Sequence, residues 1–258
     1  MRLIKRLMLF LLTVFIAPAL LTLAWWQFKE RPGSWRAADW SASGVLPAAN
    51  SDPEAAVYLM AARTGGLKGA FAVHSWIVVK KPGASRYDRY DKVGWGSPVR
   101  HNAYPADGRW YSNAPWIVHA VHGEEAVRLI PQFEAAIAEY PFAHRGDYRI
   151  WPGPNSNTFV AHVLRHVPEF GGFLPPNAAG RDFAPGLFAI DWSEEANDLH
   201  VTLGGMIGFA AGAVSGLELH FMGLVAGLDF NRPGVKIPAA GLVALRPSIS
   251  ATASEAPR

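Results

Sequence analysis

The chain has 258 residues, of which 50% are apolar and 17% charged, with a formal net charge of +3 and no cysteine. That balance excludes a disordered chain and leaves room for one sizeable core with terminal extensions. The lack of cysteine excludes disulfides, thiolate metal sites and a thiol nucleophile, and the scattered lysines and arginines, never gathered into an aromatic-interleaved stripe, argue against nucleic acid as a partner.

The N-terminus carries Arg2, Lys5 and Arg6 ahead of an uncharged run from Leu7 to Trp26. Twenty helical residues at about 1.5 Å each span roughly 30 Å, the thickness of a bilayer core. Basic residues before the run predict an N-in orientation, with Trp25 and Trp26 at the far interface. Residues 1–28 therefore read as a single-pass anchor in the inner membrane, with the bilayer as partner and the main domain on the periplasmic side. A cleaved signal sequence ending near Ala17-Pro18-Ala19 is the competing reading. The anchor takes precedence because apolar residues continue past that site and proline is tolerated in membrane helices. Residues 29–52, rich in Pro, Ser, Ala and Trp, read as a linker near the membrane surface.

Residues 53–198 read as the α+β core. Asp52 to Thr64 fits a short helix or a strand. The stretch "GAFAVHSWIVVKK" alternates, with Ala72, His74, Trp76 and Val78 on one face and Phe71, Val73, Ser75, Ile77 and Val79 on the other, which predicts a strand. "PGASR" then reads as a turn and "YDRYDKVGWG" as the returning strand of a hairpin. Loop and short strands follow, and a helix is predicted from Glu124 to about Tyr140, kinked or divided at Pro131. "YRIW" reads as a short strand. It leads into "WPGPNSNTFVAHVLRH", where a turn of prolines, glycine and asparagine feeds a helix from about Asn157 to Val167, burying Phe159, Val163 and Val167.

In residues 199–246, Gly204, Gly208, Gly212 and Gly216 recur every four residues, a stripe that would let a second membrane helix pack against Leu7 to Trp26. The alternation of Leu217, Leu219 and Phe221 with Glu218 and His220 favours glycine-rich strands instead. Residues 247–258 read as a disordered tail.

Ser156 stands where the helix begins, among unpaired backbone N–H groups and a partial positive charge that would stabilise an oxyanion. A serine needs a base, and His74, polar in an apolar strand, is the best placed of nine histidines. Each residue also has a plainer explanation: Ser, Asn and Thr are preferred helix caps, and a strand histidine is often a core residue. His162 and His166 share a helical face, but Val163 follows His162 where a zinc-protease helix has glutamate. His119 and His122 lack a carboxylate partner, so neither a metal nor a cofactor is expected. Trp76, Trp95 and Trp151 are core residues or line a groove for an acyl chain or a sugar.

Taken in order, "AVHSWIVVK" and, about eighty residues later, "NSNTFVAHVL" resemble the circularly permuted papain-like folds, the group of lecithin retinol acyltransferase and the permuted NlpC-type peptidases. The resemblance implies an antiparallel sheet with packed helices, a strand histidine at His74 and a nucleophile at Ser156, where those families hold cysteine. It also implies a third polar group orienting His74, with Asp91 preferred over His101, and an oxyanion site completed by Asn155, Asn157 and backbone N–H groups. From about Trp35 to Pro238 the chain resembles a bacterial family known as domain of unknown function 3750, through strings such as "RYDKVGWGSPVR" and "YRIWPGPNSNTFVAHVL". That resemblance carries no activity. The expected function is a serine-dependent hydrolase or acyltransferase acting on an amide or ester of an envelope small molecule, peptidoglycan or a lipid-like substrate. The alternative is a silent envelope-binding or scaffold domain of the same fold.

Overall fold

The computed structural model describes residues 1–194 and 197–245, so the expected tail lies outside the described residues. Helix α1 runs over Arg2–Gln27 and is long and apolar enough to cross a membrane. Its first ten residues bury nothing. From there a stripe of Phe15, Ala19, Thr22 and Trp26 is buried against the folded body. Phe15 packs on Phe221 with ring centroids 5.5 Å apart, and Trp26 Nε1 donates to the Gly66 carbonyl at 2.9 Å.

The body is α+β, built on two antiparallel sheets. The first has five strands in the order β4-β3-β2-β1-β5: β1 Ala56–Arg63, β2 Val73–Lys80, β3 Asp88–Lys92, β4 Val99–His101 and β5 Trp116–His122. Asp52 to Thr64 thus resolves as a strand. The alternation predicted for β2 holds, and it serves two cores rather than a core and solvent. Val73, Ile77 and Val79 join Leu59, Phe133, Phe159 and Val163 on one side. Trp76 and Val78 join Tyr58, Met60 and Trp110 on the other, and Trp40 and Leu46 of the segment read as a linker pack there too. Phe133 and Phe159 are fully buried, each contributing about 2 kcal/mol from area removed from water.

Helices α2 (Gly123–Ala138) and α3 (Ser156–His166) cover the first of these faces. Pro131 lies inside α2 without dividing it. The carbonyl it leaves without a donor belongs to Val127, which is exposed, so solvent relieves the loss. Phe159, Val163 and Val167 are buried as the helical spacing requires. The predicted strand "YRIW" is not formed, and these residues are loop. Among the described residues they pair with no strand, and the Arg149 N–H bonds the Pro154 carbonyl at 2.9 Å.

The second sheet is a seven-stranded meander in which sequence neighbours pair throughout. Its strands are β6 Phe188–Ser193, β7 Asp198–Leu203, β8 Ile207–Gly212, β9 Gly216–Phe221, β10 Leu224–Asp229, β11 Gly234–Ile237 and β12 Gly241–Ala244. The glycine interval belongs to hairpins, not to a helix stripe. Gly204 and Gly216 take positive φ of 60° and 62° at the turns before β8 and at the start of β9, a conformation glycine adopts without steric cost.

Candidate active site

The turn before α3 answers whether Ser156 is a cap. Asn155 is the cap: its Oδ1 accepts from the N–H groups of Asn157 at 2.9 Å and Thr158 at 3.2 Å. Thr158 Oγ1 in return accepts from the Asn155 N–H at 3.1 Å, a reciprocal capping box. Ser156 is the first helical residue, and its N–H is the first-turn donor that this cap does not use. With the capping role taken by its neighbour, a buried Ser156 needs another reason to be polar.

Asn157 fixes the helix start against β2. It accepts from Ser75 Oγ at 2.7 Å, and its Nδ2 donates to the Val73 carbonyl at 3.0 Å and the Ala179 carbonyl at 2.9 Å. Ser75 and Val73 flank His74, so one side chain sets the position of the helix relative to the histidine. Asn155 Nδ2 is likewise occupied by the carbonyls of Ile150 at 3.0 Å and Ala179 at 3.1 Å. The expected oxyanion role of these two side chains is therefore corrected: their donors are engaged, and they build the turn. Of the first-turn backbone donors, the Ser156 N–H remains for that purpose.

His74 and Ser156 line one cleft of about 610 Å³, walled by Trp95, Trp110, Tyr111, Tyr148 and Trp151. Trp76, expected in that groove, is fully buried behind it and donates from Nε1 to the Ala106 carbonyl at 2.8 Å. His74 Nε2 lies 3.2 Å from Asp91 Oδ2, while its ring stacks on Trp110 at 3.7 Å between centroids and 7° between planes. Asp91 is thus the partner of His74. His101 is exposed and pairs with Asp88 at 2.8 Å.

Sequence reading missed Arg89 and Trp110. Arg89 is buried, with Nη2 3.0 Å from Asp91 Oδ2, Nη1 donating to the Pro105 carbonyl at 2.9 Å, and its guanidinium 4.1 Å from the Trp76 ring. Its spacing from Asp91 in "DRYDK" puts both on one strand face, which was the available signal. Trp110 lies in a loop, where no periodicity marks it.

These contacts set the protonation states. Burial pushes the Asp91 carboxyl up, but the His74 hydrogen bond and the Arg89 charge outweigh it and hold the group below its usual range. Burial pushes the His74 imidazole below its ordinary value despite the pull of Asp91, and the Arg89 charge adds to that push. An ionised Asp91 can only accept, so Nε2 of neutral His74 carries the proton and Nδ1 keeps its lone pair.

A second cluster lies between α3 and the meander. Ser215 Oγ is 2.8 Å from His200 Nε2, and His200 Nδ1 is 3.3 Å from Asp182 Oδ1. The connectivity is that of nucleophile, base and orienter, but the chemistry is not. Although burial opposes it, bonds to Asp182 and Asp198 raise His200 to about 9, so it is protonated at neutral pH and cannot take a proton. Ser215 also donates to Asp198 at 2.6 Å. The cluster is a paired network of charges.

A family model described as protein of unknown function (DUF3750) matches residues 54–183, from just before β1 to just before β6. It takes in the cleft's His74 and Ser156, with Asp91 behind the histidine, and leaves the meander outside, a shorter range than the sequence strings suggested. No curated protein and no solved structure matches the chain. With the match spanning half of its length, the chain belongs to the DUF3750 family.

Proposed function

We propose that the chain is a serine-dependent acyl-transfer enzyme of the permuted papain-like kind, attached to a membrane through α1 and acting on an amide or ester. The observation that carries this reading is the meeting, in one cleft, of a helix-start serine relieved of capping and a neutral histidine held by an ionised Asp91.

In this reading Ser156 Oγ attacks the acyl carbon while its proton passes to His74 Nδ1, a transfer worth roughly a hundredfold to ten-thousandfold. Asp91 accepts the Nε2 hydrogen bond and stabilises the imidazolium. The oxyanion is met by the Ser156 N–H, the first-turn donor of α3 that the cap does not use, where the helix dipole adds to it. Collapse breaks the bond to the leaving amine or alcohol, which takes the proton from His74. Water or an acceptor alcohol then attacks the acyl-serine and gives its proton to His74, which passes it to Ser156 Oγ as the acyl–oxygen bond breaks.

The five aromatic walls of the cleft also support a second reading, a binding domain that does not turn over. Replacing Ser156 with cysteine separates the two without knowledge of a substrate, because the chain has no other thiol. In Ser156→Cys, the pH dependence of iodoacetamide alkylation reads the thiol. The enzyme reading predicts a titration well below the ordinary 8.5 of cysteine, moving upward in Ser156→Cys/His74→Ala. An ordinary titration, unmoved by the histidine change, leaves the binding reading.

A further inference from the structure

The meander is inside-out. Along β9, Glu218 is 1% exposed and Leu219 next to it 44%. The inner row of paired residues includes the half-buried His200 and the buried Glu218 and Lys236, facing the body and joined to Asp182 and Arg181. The outer row joins Ile190, Val201, Phe209, Leu219 and Ala226 across five strands. Every member of that outer row is apolar, and Ile190, Phe209 and Leu219 are exposed. The charged inner row is cross-paired, so the sheet cannot turn this face inward without burying separated charges.

Seven strands about 4.8 Å apart and about six residues long make a face of roughly 29 by 20 Å. That is of order 600 Å², the upper end of the largest apolar patch on a typical soluble monomer. What covers it follows from α1. Phe15 is the first buried residue of that helix, and it packs on Phe221 of the sheet's outer face. Only residues 2–14 extend free of the body, about 20 Å of helix against the roughly 30 Å of a hydrocarbon core. The helix can cross a bilayer in this packing only if the end of the sheet that holds Phe15, at the last residue of β9, enters the leaflet with it.

We propose that the outer face of the seven-stranded sheet is a bilayer-contact surface, immersed in the same leaflet as the second half of α1. The turn between β9 and β10 carries Met222 and Gly223, which line the Ser156 cleft, so contact sets the mouth of that cleft beside the lipid.

The absence of cysteine makes the test direct. The full chain, with Phe209→Cys, Leu219→Cys or the exposed control Ser85→Cys, is labelled with bimane and reconstituted in phosphatidylcholine–phosphatidylglycerol vesicles. Nitroxide-labelled acyl chains should quench positions 209 and 219 several-fold more than position 85, and iodide should quench in the reverse order. Leu228→Cys and Val235→Cys report on the same face if either of the first two variants loses its circular dichroism spectrum. Iodide access at the sheet positions equal to that at 85, in vesicles that carry the protein on flotation, overturns the proposal while leaving membrane attachment intact. Failure to float overturns both. Labels shielded from both quenchers, with the unlabelled Leu219→Cys variant forming disulfide cross-links between chains, overturn it in favour of a second copy on this face.

Discussion

His74 Nε2 and Asp91 Oδ2 lie 3.2 Å apart at buried positions, and Arg89 Nη2 approaches the same carboxylate oxygen at 3.0 Å. A single carboxylate therefore compensates a buried guanidinium and orients an imidazole. Removing its charge strands Arg89 away from water, a cost of about 3 to 5 kcal/mol for a broken buried pair. Asp91→Asn, which keeps the shape, is expected to lower the unfolding free energy by about 3 kcal/mol in a urea titration in detergent. Adding Arg89→Met should restore much of that loss, because neither charge is then buried alone.

Two histidines should give the stability profile opposite arms. The folded pKa of His74 is depressed, so the unfolded chain binds the proton first as pH falls. Its contribution is complete above about 6.5 and declines below that value. His200 is raised to about 9, so its contribution is complete below about 6.5 and is lost as pH rises through about 9. Thermal unfolding from about pH 5 to 10 should show His74→Gln flattening the acid arm and His200→Gln the alkaline arm.

The cap of α3 is also a joint, since Asn155 ties the helix start to Ile150 and Ala179. Asn155→Ala loses the cap and both tethers and is expected to cost about 2 to 3 kcal/mol. Asn155→Asp keeps the accepting oxygen but loses the Nδ2 tethers and should cost less than alanine, the difference between the two variants measuring the cap. Hydrogen exchange at the Asn157 and Thr158 amides reads the cap directly and should rise in the alanine variant while remaining protected in the aspartate one.

What could be read from the sequence was whatever a period or a local pattern records. The alternation of β2, the buried stripe Phe159, Val163 and Val167, and the pairing of His74 with Asp91 rather than His101 all emerge as expected. The strand assignment of "YRIW" failed because a short apolar run becomes a strand only if a neighbour is there to pair with, and Tyr148 and Trp151 line a cleft instead. The assignment of the Asn155 and Asn157 amides to an oxyanion site failed because side-chain donors are claimed by whichever carbonyls folding brings near, Ala179 being more than twenty residues away in sequence. Arg89 and Trp110 were hidden for related reasons: a strand arginine looks solvated until its partners are known, and a loop tryptophan has no period. The four-residue glycine interval fitted two structures, and hairpin geometry decided between them.

The central claim is that Ser156 reacts because His74 takes its proton. Incubation of the full chain with a fluorophosphonate, followed by mass mapping of the adduct, tests it most directly. The account predicts one phosphonyl group on Ser156 in the parent, none in Ser156→Ala, and labelling slowed by about a hundredfold or more in His74→Ala. An unlabelled parent, or an adduct that persists in Ser156→Ala, would contradict it.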